Sequence, residues 1–176
     1  ILAIDYRSQS PEGLTTDQIF GVNLPEEYKK ANRDIVRYGY KASTVPGTVS
    51  GLILAHSQFG KLPLEVVMRP AIEQARSGIN VSYDLEQAIA SAPQLSWDAE
   101  SKRIYFHQGK PLKRGDLMKR PDLANTMNLI SMNGLKGFYD GEVAEKIASS
   151  MAKNGGEITT DDLKKYRARF TQPIGI

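Results

Sequence analysis

Cysteine is missing from all 176 positions. That excludes disulfides, a cysteine nucleophile and thiolate metal sites together, and it leaves the redox compartment open. Histidine is nearly missing too. His56 and His107 stand far apart, and neither has a second ligand-type residue at a metal-binding spacing. No apolar run approaches the ~20 residues that span a bilayer, and no secretory leader is visible. The sequence has no G-x-G-x-x-G and no P-loop, so it offers no glycine-rich phosphate cradle. A nucleophile elbow is also lacking, because Gly47-Thr48-Val49-Ser50-Gly51 carries its serine one place too late. Neither charge sign dominates. Lys and Arg number 23 against 20 Asp and Glu, a net charge of +3, which is no nucleic-acid signature.

What remains is an ordinary globular composition. Hydrophobic residues make up 40% and charged residues 24%, so wholesale disorder is excluded and one core is affordable. Ile1 to Tyr6 reads as a strand with no preceding turn or methionine. Thr171 to Ile176 reads as the start of another. The chain is therefore expected to be a fragment, mainly α with a strand at each end, whose sheet neighbours lie elsewhere. Residues 8 to 44 hold no period and are punctuated by Ser10, Pro11, Gly13, Gly21, Asn23, Pro25 and Gly39.

Helical periodicity then sets in. Pro46 opens a first helix along Val49, Leu52, Ile53 and His56, stopped by Gly60. Gly47 and Gly51 share a face there, which predicts close approach of a neighbouring backbone. A second helix runs from Pro63 to Gly78, with a kink or break expected at Pro70. A third covers Ser82 to Ala92. Ile104-Tyr105-Phe106 reads as a strand entering a hairpin at His107 to Lys110. Later helices carry Leu123, Met127 and Ile130, then Val143, Ala144, Ile147, Ala148 and Met151. A last short one is capped by Thr159 and Asp162 at capping-box spacing.

Chemistry-bearing constellations are sparse. Glu26-Glu27 and Asp161-Asp162 are paired carboxylates, and capping accounts for the second pair. Lys110, Lys113, Arg114, Lys119 and Arg120 form a basic stretch that reads as a solvated hairpin, without the aromatic ladder of single-strand binding. Asp5-Tyr6-Arg7 stands out. Arg7 follows an apolar strand, which would hold it at a fixed point on a sheet edge. There it could grip a carboxylate through two parallel hydrogen bonds or form a structural salt bridge, and spacing alone does not choose between them.

Five stretches, in order and across nearly the whole chain, resemble the γ-glutamyltranspeptidase family. Ala3-Ile4-Asp5-Tyr6-Arg7 resembles the strand that ends in the family's substrate-binding arginine. Val45-Pro46-Gly47-Thr48-Val49-Ser50-Gly51-Leu52 is similar to its P-G-T-V-x-G segment. Pro70 to Gly78 is similar to its P-A-I-x-x-A-x-x-G helix. Gly137-Phe138-Tyr139-Asp140-Gly141 and Asn154-Gly155-Gly156-Glu157-Ile158-Thr159 match two further landmarks. Residues 8 to 44 match least.

The resemblance implies a partial large-subunit domain over residues 1–176, part of an αββα N-terminal nucleophile hydrolase made as a self-cleaving precursor. It implies γ-glutamyl transfer from glutathione or similar donors to water or amines, without a cofactor. The nucleophile would be a threonine heading the small subunit, outside this chain, with its own α-amino group as base. Thr15, Thr16, Thr159 and Thr160 are internal and do not qualify. The isolated chain is thus expected to be inactive, with no catalytic or metal-binding residue of its own. By position, Arg7 would bind the donor's α-carboxylate. The partners implied are the small subunit and a small-molecule donor, not nucleic acid, in a periplasmic or extracytoplasmic setting. Two alternatives stand beside this reading: a cephalosporin- or glutaryl-acylase-like enzyme on the same scaffold, and a non-catalytic helical assembly module.

Overall fold

A computed structural model describes residues 2–15 and 37–173. Thr16, the Glu26-Glu27 pair and the end of the expected closing strand lie outside the described residues. In chain order the elements begin with strand β1 (Ala3–Asp5), helix α1 (Thr48–Phe59), helix α2 (Leu64–Ser77), strand β2 (Ile79–Asn80) and helix α3 (Tyr83–Ala90). Helix α4 (Ala99–Tyr105) leads into strands β3 (Phe106–His107), β4 (Lys110–Pro111) and β5 (Leu117–Met118). Helices α5 (Pro121–Asn133), α6 (Lys136–Tyr139), α7 (Glu142–Lys153) and α8 (Thr160–Lys165) follow, and strand β6 (Arg169–Thr171) comes last. The mainly α expectation is met. The elements fall into two compact units, residues 1–64 with 129–176, and residues 65–128.

In the first unit β1 pairs antiparallel with β6, with Ala3 opposite Thr171, Ile4 opposite Phe170 and Asp5 opposite Arg169. The two end strands were expected to lack their partners, and instead they serve each other. The second strand also starts earlier than its sequence suggests. Tyr166 leaves α8 in an extended conformation, and the Ala168 N–H donates to Ser50 Oγ at 2.8 Å, which straightens the chain before Thr171. Val45, Tyr139, Ala144, Ile158, Leu163 and Tyr166 form this unit's core. Fully burying a side chain the size of Leu163 contributes about 2 kcal/mol.

Two tyrosines organise that core. The rings of Tyr139 and Tyr166 stack at 5.7 Å between centroids and 13° between planes. The Tyr139 hydroxyl accepts from the Ser50 N–H at 3.2 Å and donates to the Pro46 carbonyl at 2.7 Å. Burial pushes its pKa up to about 12, against a smaller opposing effect of the Ser50 hydrogen bond, so it stays a donor. The α1 helix begins at Thr48, two residues after Pro46, because Gly47 is its N-cap.

The capping box at α8 is present as expected. Asp162 N donates to Thr159 Oγ1, and Thr159 N donates to Asp162 Oδ2. The other carboxylate oxygen accepts the Glu12 N–H at 2.8 Å, a contact between residues 150 positions apart. Burial alone would raise this carboxyl. The hydrogen bonds from Glu12 and Thr159 outweigh it and hold the pKa below the usual aspartate value. Asp162→Ala should cost about 2 kcal/mol, from the lost cap and the stranded Glu12 N–H. A depressed folded-state value gives stability that is full above the unfolded aspartate pKa of about 3.9 and fades as pH falls through the folded value. Urea titrations of wild type and Asp162→Asn from pH 7 to 3 should show the wild-type advantage shrinking with acid.

In the second unit Val81, Ile89, Leu112 and Met118 form the core, and β2 pairs antiparallel with β5. Ile104 and Tyr105 were expected in a strand and are helical. The cause is a cap, since Asp98 accepts the Ser101 N–H and starts α4. The expected hairpin follows, β3 against β4 around Gln108 and Gly109. Both turn residues have positive φ, 48° and 79°, as a two-residue hairpin turn demands. Of the kink or break expected at Pro70, the break is not there, because α2 runs unbroken through it. The missing N–H frees only the Val66 carbonyl, and Val66 is 40% exposed, so water can serve that acceptor.

Candidate substrate-binding site

Arg7 sits two residues beyond the β1–β6 pair, and its peptide is gripped on both sides. Its N–H donates to Asp5 Oδ1 at 3.2 Å. Its carbonyl accepts from the Tyr166 hydroxyl at 2.8 Å. Two residues on, Gln9 pairs with Val45 through a backbone bridge. The backbone of this exposed residue is therefore fixed from strand, core and loop at once.

The side chain is left for other work. Asp5 is the nearby carboxylate, and Arg169 engages it through Nε and a terminal nitrogen at 3.3 and 3.1 Å. The Arg7 N–H, then the Arg169 side chain, hold the Asp5 carboxyl below the usual range. Among the described residues no carboxylate lies within ion-pair distance of the Arg7 guanidinium. The ion pair to Asp5 is made by Arg169, and the Arg7 charge adds a smaller influence on the same carboxyl. Arg7 presents a positioned, exposed fork of donors suited to a carboxylate.

Close packing at two glycines makes this placement possible. A Cβ on Gly47 would overlap the Tyr6 carbonyl oxygen and the Tyr166 hydroxyl, with Tyr166 Cζ at 2.8 Å. A Cβ on Gly51 would run into the Tyr6 ring, with Cβ at 2.5 Å and Cδ1 at 2.7 Å. The chain passing from Tyr6 to Arg7 thus lies directly against the start of α1, as the shared glycine face suggested.

The remaining candidates resolve as structure. His56 Nε2 lies 2.9 Å from the Leu62 carbonyl and fastens the end of α1 to the following loop. Thr159 and Asp162 are spent on capping. In the basic stretch, Asp116 accepts the Lys113 N–H, and the Arg120 guanidinium stands 6.0 Å from the Tyr105 ring centroid. A cleft of about 310 Å³ lies at the start of α7 beside α6, another of about 220 Å³ lies between α6 and α8, and neither is lined by Arg7. Sequence reading missed Tyr166 as a partner of Arg7. The two lie 159 positions apart, and no local spacing links them.

A family model described as gamma-glutamyltranspeptidase matches residues 1–176. The chain is 37% identical over 174 residues to the glutathione hydrolase proenzyme of Escherichia coli K12, covering 98% of this chain and 29% of that protein. The chain thus spans less than a third of that relative's length. It superposes on the γ-glutamyltranspeptidase of Helicobacter pylori with a TM-score of 0.89 at 32% identity, covering 98% of this chain and 49% of that one. A cephalosporin acylase from Bacillus halodurans superposes with a TM-score of 0.84 at 25% identity, covering 99% of this chain and 33% of that one. The chain belongs to the γ-glutamyltranspeptidase family.

Proposed function

We propose that residues 1–176 form part of the large subunit of a γ-glutamyl-transferring and hydrolysing enzyme, and that Arg7 binds the α-carboxylate of the γ-glutamyl donor. The observation that carries this is the state of Arg7. Its peptide N–H and carbonyl are both held, while its guanidinium has no carboxylate partner among the described residues. A bidentate grip on the far end of the donor would orient the γ-amide toward a nucleophile, a positioning contribution.

The nucleophile in this reading is a threonine of the small subunit, elsewhere in the same self-cleaving precursor. Its hydroxyl attacks the γ-carbonyl and its own α-amino group takes the proton. The amine leaves with that proton, and a γ-glutamyl ester remains for water or an acceptor amine to attack. The chain's helices would then be part of an αββα arrangement, in an extracytoplasmic enzyme. Apolar surface in the first unit fits cover by such a subunit: Leu52 and Phe59, seven residues apart on α1, are each 61% exposed, and Leu62 is 58% exposed.

Likeness to a cephalosporin acylase supports a second reading, an acylase for side-chain amides. A glutaryl anilide keeps the carboxylate of a γ-glutamyl anilide but lacks its ammonium group. The full-length protein should turn over the γ-glutamyl anilide about 10²-fold better, because a site built to hydrogen-bond that ammonium rejects the analogue lacking it. Preference for the glutaryl anilide would move the protein to the acylase reading.

A further inference from the structure

We infer that Tyr166 is a positioning residue for the arginine, acting on substrate only through the Arg7 peptide. This rests on the reading of Arg7 given above.

Three observations carry it. The Tyr166 hydroxyl donates to the Arg7 carbonyl at 2.8 Å, shorter than the 3.2 Å bond from the Arg7 N–H to the partly exposed Asp5. The phenol that makes this bond is buried, 3% exposed, and its ring is clamped against Tyr139, so its hydroxyl cannot wander. Gly47 then leaves the gap through which the hydroxyl reaches the strand, since a Cβ there would collide with both the Tyr6 carbonyl and that hydroxyl. Burial, and next the charge of Asp5, raise the Tyr166 pKa, so the group remains a donor at neutral pH.

The geometry also separates positioning from plain stability. Tyr139, the other half of the stack, makes two buried-side bonds, to Ser50 and Pro46, and none to Arg7. Tyr166→Phe removes a single bond and keeps the stack. Tyr139→Phe strands two backbone groups and should therefore destabilise more. If Tyr166 serves Arg7, the ordering of effects on substrate binding is the reverse of the ordering on stability.

The experiment uses the full-length protein with a γ-glutamyl anilide and a 4-aminobutyryl anilide, which lacks the α-carboxylate. Tyr166→Phe is expected to raise KM for the γ-glutamyl donor roughly tenfold with kcat little changed, and to leave the 4-aminobutyryl donor unaffected. Tyr139→Phe should lower Tm further while leaving both KM values at wild type. An unchanged KM in Tyr166→Phe overturns the inference. So does an equal KM rise in Tyr139→Phe, or an equal loss on both donors in Tyr166→Phe. An Arg7→Ala series run alongside tells the failures apart. If Arg7→Ala is silent, the reading of Arg7 fails and takes this inference with it. If Arg7→Ala responds and Tyr166→Phe does not, only the positioning role falls.

Discussion

Arg7→Ala is expected to lower kcat/KM for a γ-glutamyl donor by roughly 10²- to 10³-fold. Each hydrogen bond to a charged group contributes about 1.5–3 kcal/mol, and a factor of ten corresponds to about 1.4 kcal/mol. Two parallel bonds at an exposed site fall at the lower end of the resulting range. Both KM and kcat should suffer, because a remote anchor that holds the donor also aligns its amide. Arg7→Lys should recover only part of the loss, since an ammonium keeps the charge and not the planar fork. On the proposed reading, self-cleavage of a precursor involves no donor carboxylate and should proceed normally in both variants. Steady-state kinetics on matured protein, with gel analysis of maturation, checks each point. Activity within a few-fold of wild type would make Arg7 a surface residue and nothing more.

The second large effect is on folding. Gly51→Ala should destabilise the protein by about 3 kcal/mol, the upper part of the usual range for overpacking. The new methyl meets the root of the Tyr6 ring, which is tethered to backbone and cannot swing aside as a flexible side-chain end would. Gly47→Ala is expected to be at least as damaging, because one of its collisions is with a main-chain oxygen and another with the hydroxyl that holds Arg7. Any relaxation must move the strand end. A fraction of Gly47→Ala protein that does fold should therefore show weakened donor binding as well. Thermal denaturation of Gly47→Ala, Gly51→Ala and, as a reference, Gly115→Ala addresses this. Gly115 lies at a positive φ of 91° with open space around its missing Cβ, so its penalty is backbone strain alone.

Local chemistry was legible wherever it was written within a few residues. The Thr159–Asp162 box, the His107–Lys110 hairpin and the stop at Gly78 all came from short spacings and are present. The Gly47–Gly51 face correctly announced a close neighbour, though not that the neighbour is Tyr6. Errors arose where a distant contact or an unnoticed cap decided the outcome. Ile104 and Tyr105 have strand propensity, yet the Asp98 cap commits them to α4. The end strands were read as unpaired because nothing in either names a partner more than 160 residues away.

The site follows the same division. Arg7 could be singled out because a cation directly after an apolar strand is a local pattern. Its support could not. Tyr166 and Arg169 reach it or its strand from the far end of the sequence. Once the fold is known, Arg169 is seen to pair with the Asp5 carboxylate, a contact that no local spacing announced. Asp162 shows the same economy, capping its own helix with one oxygen and tying down Glu12 with the other.

The central claim, that Arg7 recognises the donor's α-carboxylate, is tested most directly by deleting both partners. Wild type and Arg7→Ala, as full-length matured protein, are each given a γ-glutamyl anilide and a 4-aminobutyryl anilide. Wild type should prefer the γ-glutamyl donor by roughly 10²- to 10³-fold in kcat/KM, and Arg7→Ala should have lost most of that preference, because removing one partner makes the other irrelevant. If Arg7→Ala keeps the wild-type preference for the carboxylate-bearing donor, some other group recognises the carboxylate and the account of this site is wrong.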